Sequence, residues 1–484
     1  MKRVTIDPIT RLEGHGKIEI FLNDQGNVEN AYLQIPELRG FERFCQGRPG
    51  EELPRITPRI CGVCPTSHHI ASAKALDAAF NVEPTPAAKK LRELMYSGYI
   101  VYDHILHFYY LGGPDFIVGP QAPAAERNIL GVINKVGLDI AKEVIKHRSY
   151  GQKVIEILGG KATHPVSALP GGIAKGLNEE ERASIEEMAR SSVEFAKFSL
   201  EIFDKLVLQN KEYVDLITSD AYTMKTYYMG LVDENNKVNF YDGKIRVVDP
   251  TGKEYVKFDA SDYLTHIAEH VEPWSYIKFP YLKGVGWKGF VDGADSGVFR
   301  VAPLARLNAS QGMATPFAQE AYEKMMETLG YPVHHTLATH WARLIELLYA
   351  AERLLELAQD EDITSKDIRA EPGEPGEGVG VVEAARGTLI HHYKLDKDGL
   401  AESVNLIVAT VNNASALNMS VRDAARGVIK EGKVSDGLLN MVEMAFRAYD
   451  PCFGCASHFL PGEMPLQVKI HRTDGTIHTI ERNL

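Results

Sequence analysis

Cysteine is scarce in this chain, at five among 484 residues. So few, and an odd number, exclude a disulfide framework and fit a reducing compartment. No run of eighteen apolar residues occurs, and the amino terminus lacks a basic stretch leading into an apolar one. Neither a membrane span nor a signal peptide is therefore expected. Positive charge is also short: 53 Lys and Arg stand against 65 Asp and Glu, a net charge of −12. That balance argues against a nucleic-acid surface, which needs clustered Lys and Arg for phosphates. With 44% hydrophobic and 24% charged residues the composition is that of an ordinary globular protein. The length allows a large core.

What is present is an unusual use of the few cysteines. Four of the five form two C-x-x-C pairs near opposite ends, in RICGVCPTSHH (Arg59 to His69) and DPCFGCASH (Asp450 to His458). A structural zinc site commonly places its pairs about 15–20 residues apart, since it stitches a small fold. A thioredoxin-like dithiol needs one pair. A c-type haem needs histidine directly after the second cysteine, where Pro65 and Ala456 stand. A four-cysteine iron–sulfur cluster matches the ligand count and stays open. Arg59, His68, Asp450 and His458 surround the thiols with groups that orient ligands or move protons, as around tuned metal sites. Thiolates are soft donors suited to nickel and iron, so a redox-active metal cluster fits better than a zinc staple.

Along the chain, GKIEIFL and VENAYLQI alternate around DQG and predict an early hairpin or small sheet. The pattern turns helical from about Pro84 to Phe108, and the segment 125–160 continues it. A further long helix is expected after LNEEER at Leu177, running towards Ile217. Residues 222–279 read as a sheet-rich insert with two turn signals. Helix returns from His334 to Asp360, and RAEPGEPGEGVG (Arg369 to Gly380) is expected to be a surface loop. Strand-like VGVVEAARGTLIHHY follows, then helices up to Tyr449. No internal repeat is evident. The expected fold is α+β and predominantly α-helical, one domain over 1–484 with small sheets at the amino terminus, in the central insert and near the carboxy terminus. The tail 459–484 carries two alternating runs around TDG, which predict a β-hairpin with a face to bury.

RICGVCPTSH and DPCFGCASH closely resemble the amino- and carboxy-terminal motifs of the nickel–iron hydrogenase large subunit, R-x-C-G-x-C-x-x-x-H and D-P-C-x-x-C-x-x-H. RLEGHGKIE from Arg11, RGFE from Arg39, DHILHFY from Asp103, EAARG from Glu383 and NLIVAT from Asn405 occur in the family's order. The resemblance thus spans essentially the whole chain. RGFERFCQGRP and GTLIHHY are most similar to the soluble, cytoplasmic, multimeric hydrogenases that serve NAD(P) or related carriers.

The resemblance implies reversible heterolytic cleavage of H2 at a buried nickel–iron centre whose iron carries carbon monoxide and cyanide. It implies Cys61 and Cys452 as terminal nickel ligands, with Cys64 and Cys455 bridging to iron. Glu13 would relay protons out of Cys452, although its residues alone favour a salt bridge to Arg11. Arg386 would hang over the metals with Asp103 and Asp450 as carboxylate neighbours, and Thr410 would bond a cyanide. His68 would donate a hydrogen bond to the bridging sulfur. Glu42, the main-chain oxygen of Leu406 and His458 would hold a magnesium-type ion, a hard cation suited to oxygen donors. Ala385 and Ala409 stand where the family commonly has proline, which would loosen the backbone near the iron. A related respiratory complex I subunit lacks the four cysteines, and a zinc scaffold would hold zinc alone. Only Cys45 is left over, and an iron–sulfur cluster needs about four cysteines. An iron–sulfur small subunit is therefore implied as partner, with further diaphorase or carrier-reducing subunits and a cytoplasmic location. The family commonly loses its tail after the last motif's histidine once nickel is in place. The alternating arms nevertheless favour a retained, ordered tail here.

Overall fold

The computed structural model describes residues 2–458 and 466–482. Helices form the body. Pro86–Leu106 packs against Leu138–Gly159 on one side and Thr339–Ala358 on another, and Thr339–Ala358 packs in turn against Glu179–Phe203. Thr85 caps the first of these by accepting from Ala88 N–H. Asn178 and Glu181 close a reciprocal capping box on Glu179–Phe203, as the LNEEER signal predicts. No helix among the described residues is long and apolar enough to cross a membrane.

Three sheets of three or four strands attach to this body among the described residues. Lys2–Ile6, Lys17–Leu22 and Val28–Gln34 pair antiparallel, with Ile18, Ile20 and Leu22 on the buried face. In the central region Tyr227–Val232, Lys244–Val248 and Glu254–Phe258 form a sheet that Phe299–Arg300 extends in parallel. A separate pair, Ile267–Val271 with Lys278–Leu282, follows. Glu377–Ala384, Gly387–Leu395 and Ala401–Ile407 form the third sheet, which lies on the helix Pro65–Ala79. The chain is thus predominantly helical with small sheets at its amino terminus, middle and carboxy-terminal part.

Several boundaries differ from the sequence expectation. The helical segment after Phe108 is broken: a π-turn at His107–Gly112, a short helix Pro114–Ile117, then Ile129–Val136 and Leu138–Gly159, separated at Gly137 with φ 90°. The helix expected to reach Ile217 ends at Phe203, and a π-turn and Asn210, which caps Lys211–Ile217, interrupt it. The loop expected through Gly380 ends earlier, because Glu377–Ala384 is a strand in which Gly378 and Gly380 are buried. A Cβ on Gly380 would come 2.2 Å from Ala71 O, and one on Gly378 would come 2.2 Å from Ala79 N. Those glycines let the strand lie directly on the Pro65–Ala79 backbone. In the tail, Leu466–His471 pairs with Ile477–Arg482 as a hairpin. Its Val468, Ile470 and Ile480 are exposed at 39%, 43% and 49%, so the face expected to be buried is open.

Candidate metal centre

Each cysteine pair sits at the entrance to a helix. Cys61 follows the 3-10 turn Thr57–Ile60, and Cys64 caps Pro65–Ala79, with proline at the first helical position. Cys452 precedes the short helix Phe453–Ala456, which holds Cys455. The two segments are drawn together by backbone bonds from the first half: Phe453 N–H donates to Glu13 O at 2.9 Å, and Arg39 N–H donates to Ser457 O at 2.9 Å. The Arg39 guanidinium also donates to Gly454 O at 3.2 Å and to Ile60 O, spanning both motifs.

The four sulfurs lie within 4.8 Å of one another, all buried and none in a disulfide. Across the motifs Cys61 lies 3.4 Å from Cys452 and Cys64 lies 3.4 Å from Cys455, while within the second motif Cys452 lies 2.7 Å from Cys455. Hydrogen bonds from the other three sulfurs hold the Cys61 thiol well below its usual range, while burial pushes Cys452 and Cys455 well above it. A metal is the group this donor set fits, because four buried soft sulfurs converge beside a buried guanidinium.

That guanidinium is Arg386, set in the turn between Glu377–Ala384 and Gly387–Leu395. It donates to both oxygens of Asp103 at 3.0 and 3.1 Å and pairs with Asp450 at 3.0 Å. Burial raises the Asp103 carboxyl against the opposing pull of Arg386, and burial likewise pushes Asp450 up to about 7. Asn413 holds the turn by donating to Arg386 O at 3.1 Å. Arg343, which sequence reading missed, meets Asp450 at 3.4 Å and donates to Ala385 O at 3.1 Å. Its signal was an arginine inside the apolar run HWARLIELL, a position that requires buried partners.

Glu13 accepts from Cys452 Sγ at 2.8 Å and from Gly454 N–H at 3.1 Å. Burial, then the neighbouring Cys61 charge, raises its pKa. The salt bridge to Arg11 does not form, since Arg11 turns to Asp115 at 2.5 Å and to Leu111 O at 2.9 Å. Thr410 Oγ1 accepts from Cys452 N–H at 3.1 Å, which leaves its own proton available to donate. Leu406 N–H donates to Glu42 at 2.9 Å, and His458 packs edge-on against Phe41 at 5.6 Å. Both His458 ring nitrogens are buried without a hydrogen-bond partner among the described residues, and burial holds the ring down to about 3. A neutral imidazole with unused lone-pair capacity fits a divalent cation. His68 turns its Nδ1 to His391 at 3.1 Å, while its Nε2 has no hydrogen-bond partner among the described residues.

The sequence pattern of the nickel-dependent hydrogenases matches residues 39–132 and 199–458. The chain belongs to this family. A second pattern, HoxL-like, matches residues 3–38. An F420-non-reducing hydrogenase iron-sulfur subunit from Archaeoglobus profundus is 52% identical, over 100% of both chains. The NAD-reducing hydrogenase HoxS subunit beta of Cupriavidus necator is 38% identical, over 98% of each. A crystal structure of an NAD+-reducing [NiFe]-hydrogenase in its H2-reduced state superposes with a TM-score of 0.89 at 39% identity, covering 95% of this chain and 100% of that one. The protein is thus a nickel-dependent hydrogenase, an oxidoreductase acting on H2, with the fold of the hydrogenase large subunit.

Proposed function

We propose that the chain is the catalytic subunit of a multi-subunit hydrogenase and holds a nickel–iron centre at Cys61, Cys64, Cys452 and Cys455. The observation that carries this reading is the convergence of four buried sulfurs from two distant segments within 4.8 Å. By the family resemblance Cys61 and Cys452 would be the terminal ligands and Cys64 and Cys455 the ones shared with iron, and first cysteine faces first and second faces second across the motifs. When bound, the metals supply the electron acceptance that heterolytic cleavage of H2 requires, iron carrying carbon monoxide and cyanide.

The residues around them handle charge and protons. Glu13, bonded to Cys452 Sγ and only partly buried, takes the proton from that sulfur and passes it outward. Arg386, fixed by Asp103 and Asp450, holds a rigid positive charge over the sulfurs and orients H2 or a cyanide nitrogen. Thr410 O–H would bond a second cyanide. Glu42, the main-chain oxygen of Leu406 and His458 would hold a magnesium-type cation, tying the carboxy-terminal segment to the first half.

Electrons leave through a partner. Cys45 is buried, and burial pushes its thiol up to about 12, so it offers no thiolate to a cluster. Gly62 between the first two cysteines is exposed and Val63 half-exposed, which supports that face as the one on which an iron–sulfur subunit docks. From there electrons pass through carrier-reducing subunits in the cytoplasm to a soluble carrier. The 52% identical relative is named F420-non-reducing, which supports a carrier other than F420. Metal analysis of the purified complex tests the reading. Nickel and iron together, with H2-dependent dye reduction, are expected; zinc alone would refute it.

A further inference from the structure

One helix grips the turn that carries Arg386. Ala385 and Arg386 are the two turn residues between strands whose pairing closes at Ala384 and Gly387. From helix Pro86–Leu106 the Tyr96 hydroxyl donates to Glu383 O at 2.8 Å, and the Tyr99 hydroxyl accepts from Ala385 N–H at 3.2 Å. Asp103 then takes the Arg386 guanidinium at 3.0 and 3.1 Å. Tyr96, Tyr99 and Asp103 are spaced three and four apart, so they stand on one face of that helix. The helix thus meets residues 383, 385 and 386 in step. Its Tyr102 hydroxyl donates to Val63 O, between Cys61 and Cys64.

The three tyrosines are buried, at 1%, 0% and 4% exposure. Their rings touch in sequence, with centroids 5.3 Å apart for Tyr96 and Tyr99 and 5.7 Å for Tyr99 and Tyr102. Packing needs only the rings, whereas a buried hydroxyl costs free energy unless it is bonded. The turn's carbonyls are held more than once: Ala385 O accepts from Arg343 at 3.1 Å and from Arg306 at 3.5 Å. Ala385 N–H is a single donor, and it goes to Tyr99. An ion pair with Asp103 alone would leave the long arginine side chain free to pivot. Tying the preceding N–H to the same helix, one turn earlier, fixes the backbone from which that side chain leaves.

We propose that Tyr99 is a positioning residue for the metal centre: its hydroxyl, through Ala385 N–H, keeps Arg386 in register with the first cysteine pair. Helix Pro86–Leu106 is the common frame, since Tyr102 holds the loop of that pair and Asp103 holds the guanidinium. The inference rests on the hydrogenase reading of the site and adds Tyr99 to it.

Tyr99→Phe in the nickel-loaded complex removes the hydroxyl and keeps the ring. Unchanged nickel and iron are expected, with displaced infrared bands of the iron's diatomic ligands. The kcat for H2 oxidation should fall by about tenfold with KM unchanged, since misplacing a positioned group costs up to about 10²-fold. Adding Ala385→Pro supplies the contrast. Proline is favoured at the first position of a turn with negative φ, and Ala385 holds that position without a positive φ. It removes the N–H that Tyr99→Phe leaves unpaired and restrains the backbone by its ring. The double variant is therefore expected to move bands and kcat back towards the wild-type values. Unmoved bands in Tyr99→Phe overturn the proposal, as does a double variant displaced as far as the single one. If Tyr99→Phe loses its metals, their recovery in the double variant supports the proposal and continued loss overturns it. Failure of the hydrogenase reading looks different: the wild-type complex would contain no nickel.

Discussion

Glu13 combines two properties a relay needs: a bond to Cys452 Sγ at 2.8 Å and a pKa raised by burial, which lets it accept a thiol proton readily. Glu13→Gln keeps the shape and removes the proton site. Nickel and iron content should be unchanged, while H2 oxidation falls by roughly 10²–10⁴-fold, the usual span for a lost acid–base group. Hydrogen–deuterium exchange at normal rate in that variant would place the exit elsewhere. Ala385 and Ala409 separate at the same scale. Ala385 N–H donates to Tyr99 Oη at 3.2 Å, which a proline could not do, whereas Ala409 opens a helix behind Val408, where proline is tolerated. Ala385→Pro is expected to lower stability by about 1–3 kcal/mol, the cost of an unmade buried hydrogen bond. Ala409→Pro should be near neutral. Chemical denaturation of both variants checks the contrast. The expected loosening of the backbone at Ala385 is therefore offset by a main-chain bond that a proline could not make.

Helix Pro65–Ala79 and strand Glu377–Ala384 set the distance between the first cysteine pair and Arg386. Gly380 allows their contact, with an added Cβ falling 2.2 Å from Ala71 O. Gly380→Ala should destabilise the chain by about 1–3 kcal/mol through overpacking and reduce metal loading with it. Gly62→Ala is the control, since a Cβ there meets nothing within 4 Å. Thermal unfolding and nickel content measured on both would show whether the contact governs the site. At this scale sequence reading was partial. Strong signals such as the Asn178–Glu181 capping box and the alternation in GKIEIFL were legible, because they depend on neighbours in sequence. The glycine- and proline-rich 369–380 reads as loop, yet Gly378 and Gly380 are strand because a helix from elsewhere in the chain covers them. The breaks at the π-turns of His107–Gly112 and Asp204–Leu208 likewise lack a local signal.

Across the whole molecule, the centre joins cysteines 391 positions apart, so every ligand depends on complete closure of the chain. Cys61→Ala should abolish nickel binding and H2 activity together, while Cys45→Ser should leave nickel content intact; metal analysis of the two variants decides both. The tail tests closure from the other side. Its hairpin exposes Val468, Ile470 and Ile480, so a chain ending at His458 should unfold at the same temperature as the full-length chain. A fall of several degrees would show that the hairpin packs, and the intact mass of nickel-loaded protein would reveal whether it is retained. Sequence alone determined the chemistry: four paired cysteines, their flanking histidines and carboxylates, and too few further cysteines for a cluster. Those choices are carried by residue type and short spacing, which survive in one dimension. Tertiary structure alone decided which groups meet. Arg39 spanning both motifs, Arg343 behind Asp450, and His391 rather than a sulfur at His68 Nδ1 are all contacts between distant segments. Packing of helix against sheet fixes such partners, and no local pattern encodes them.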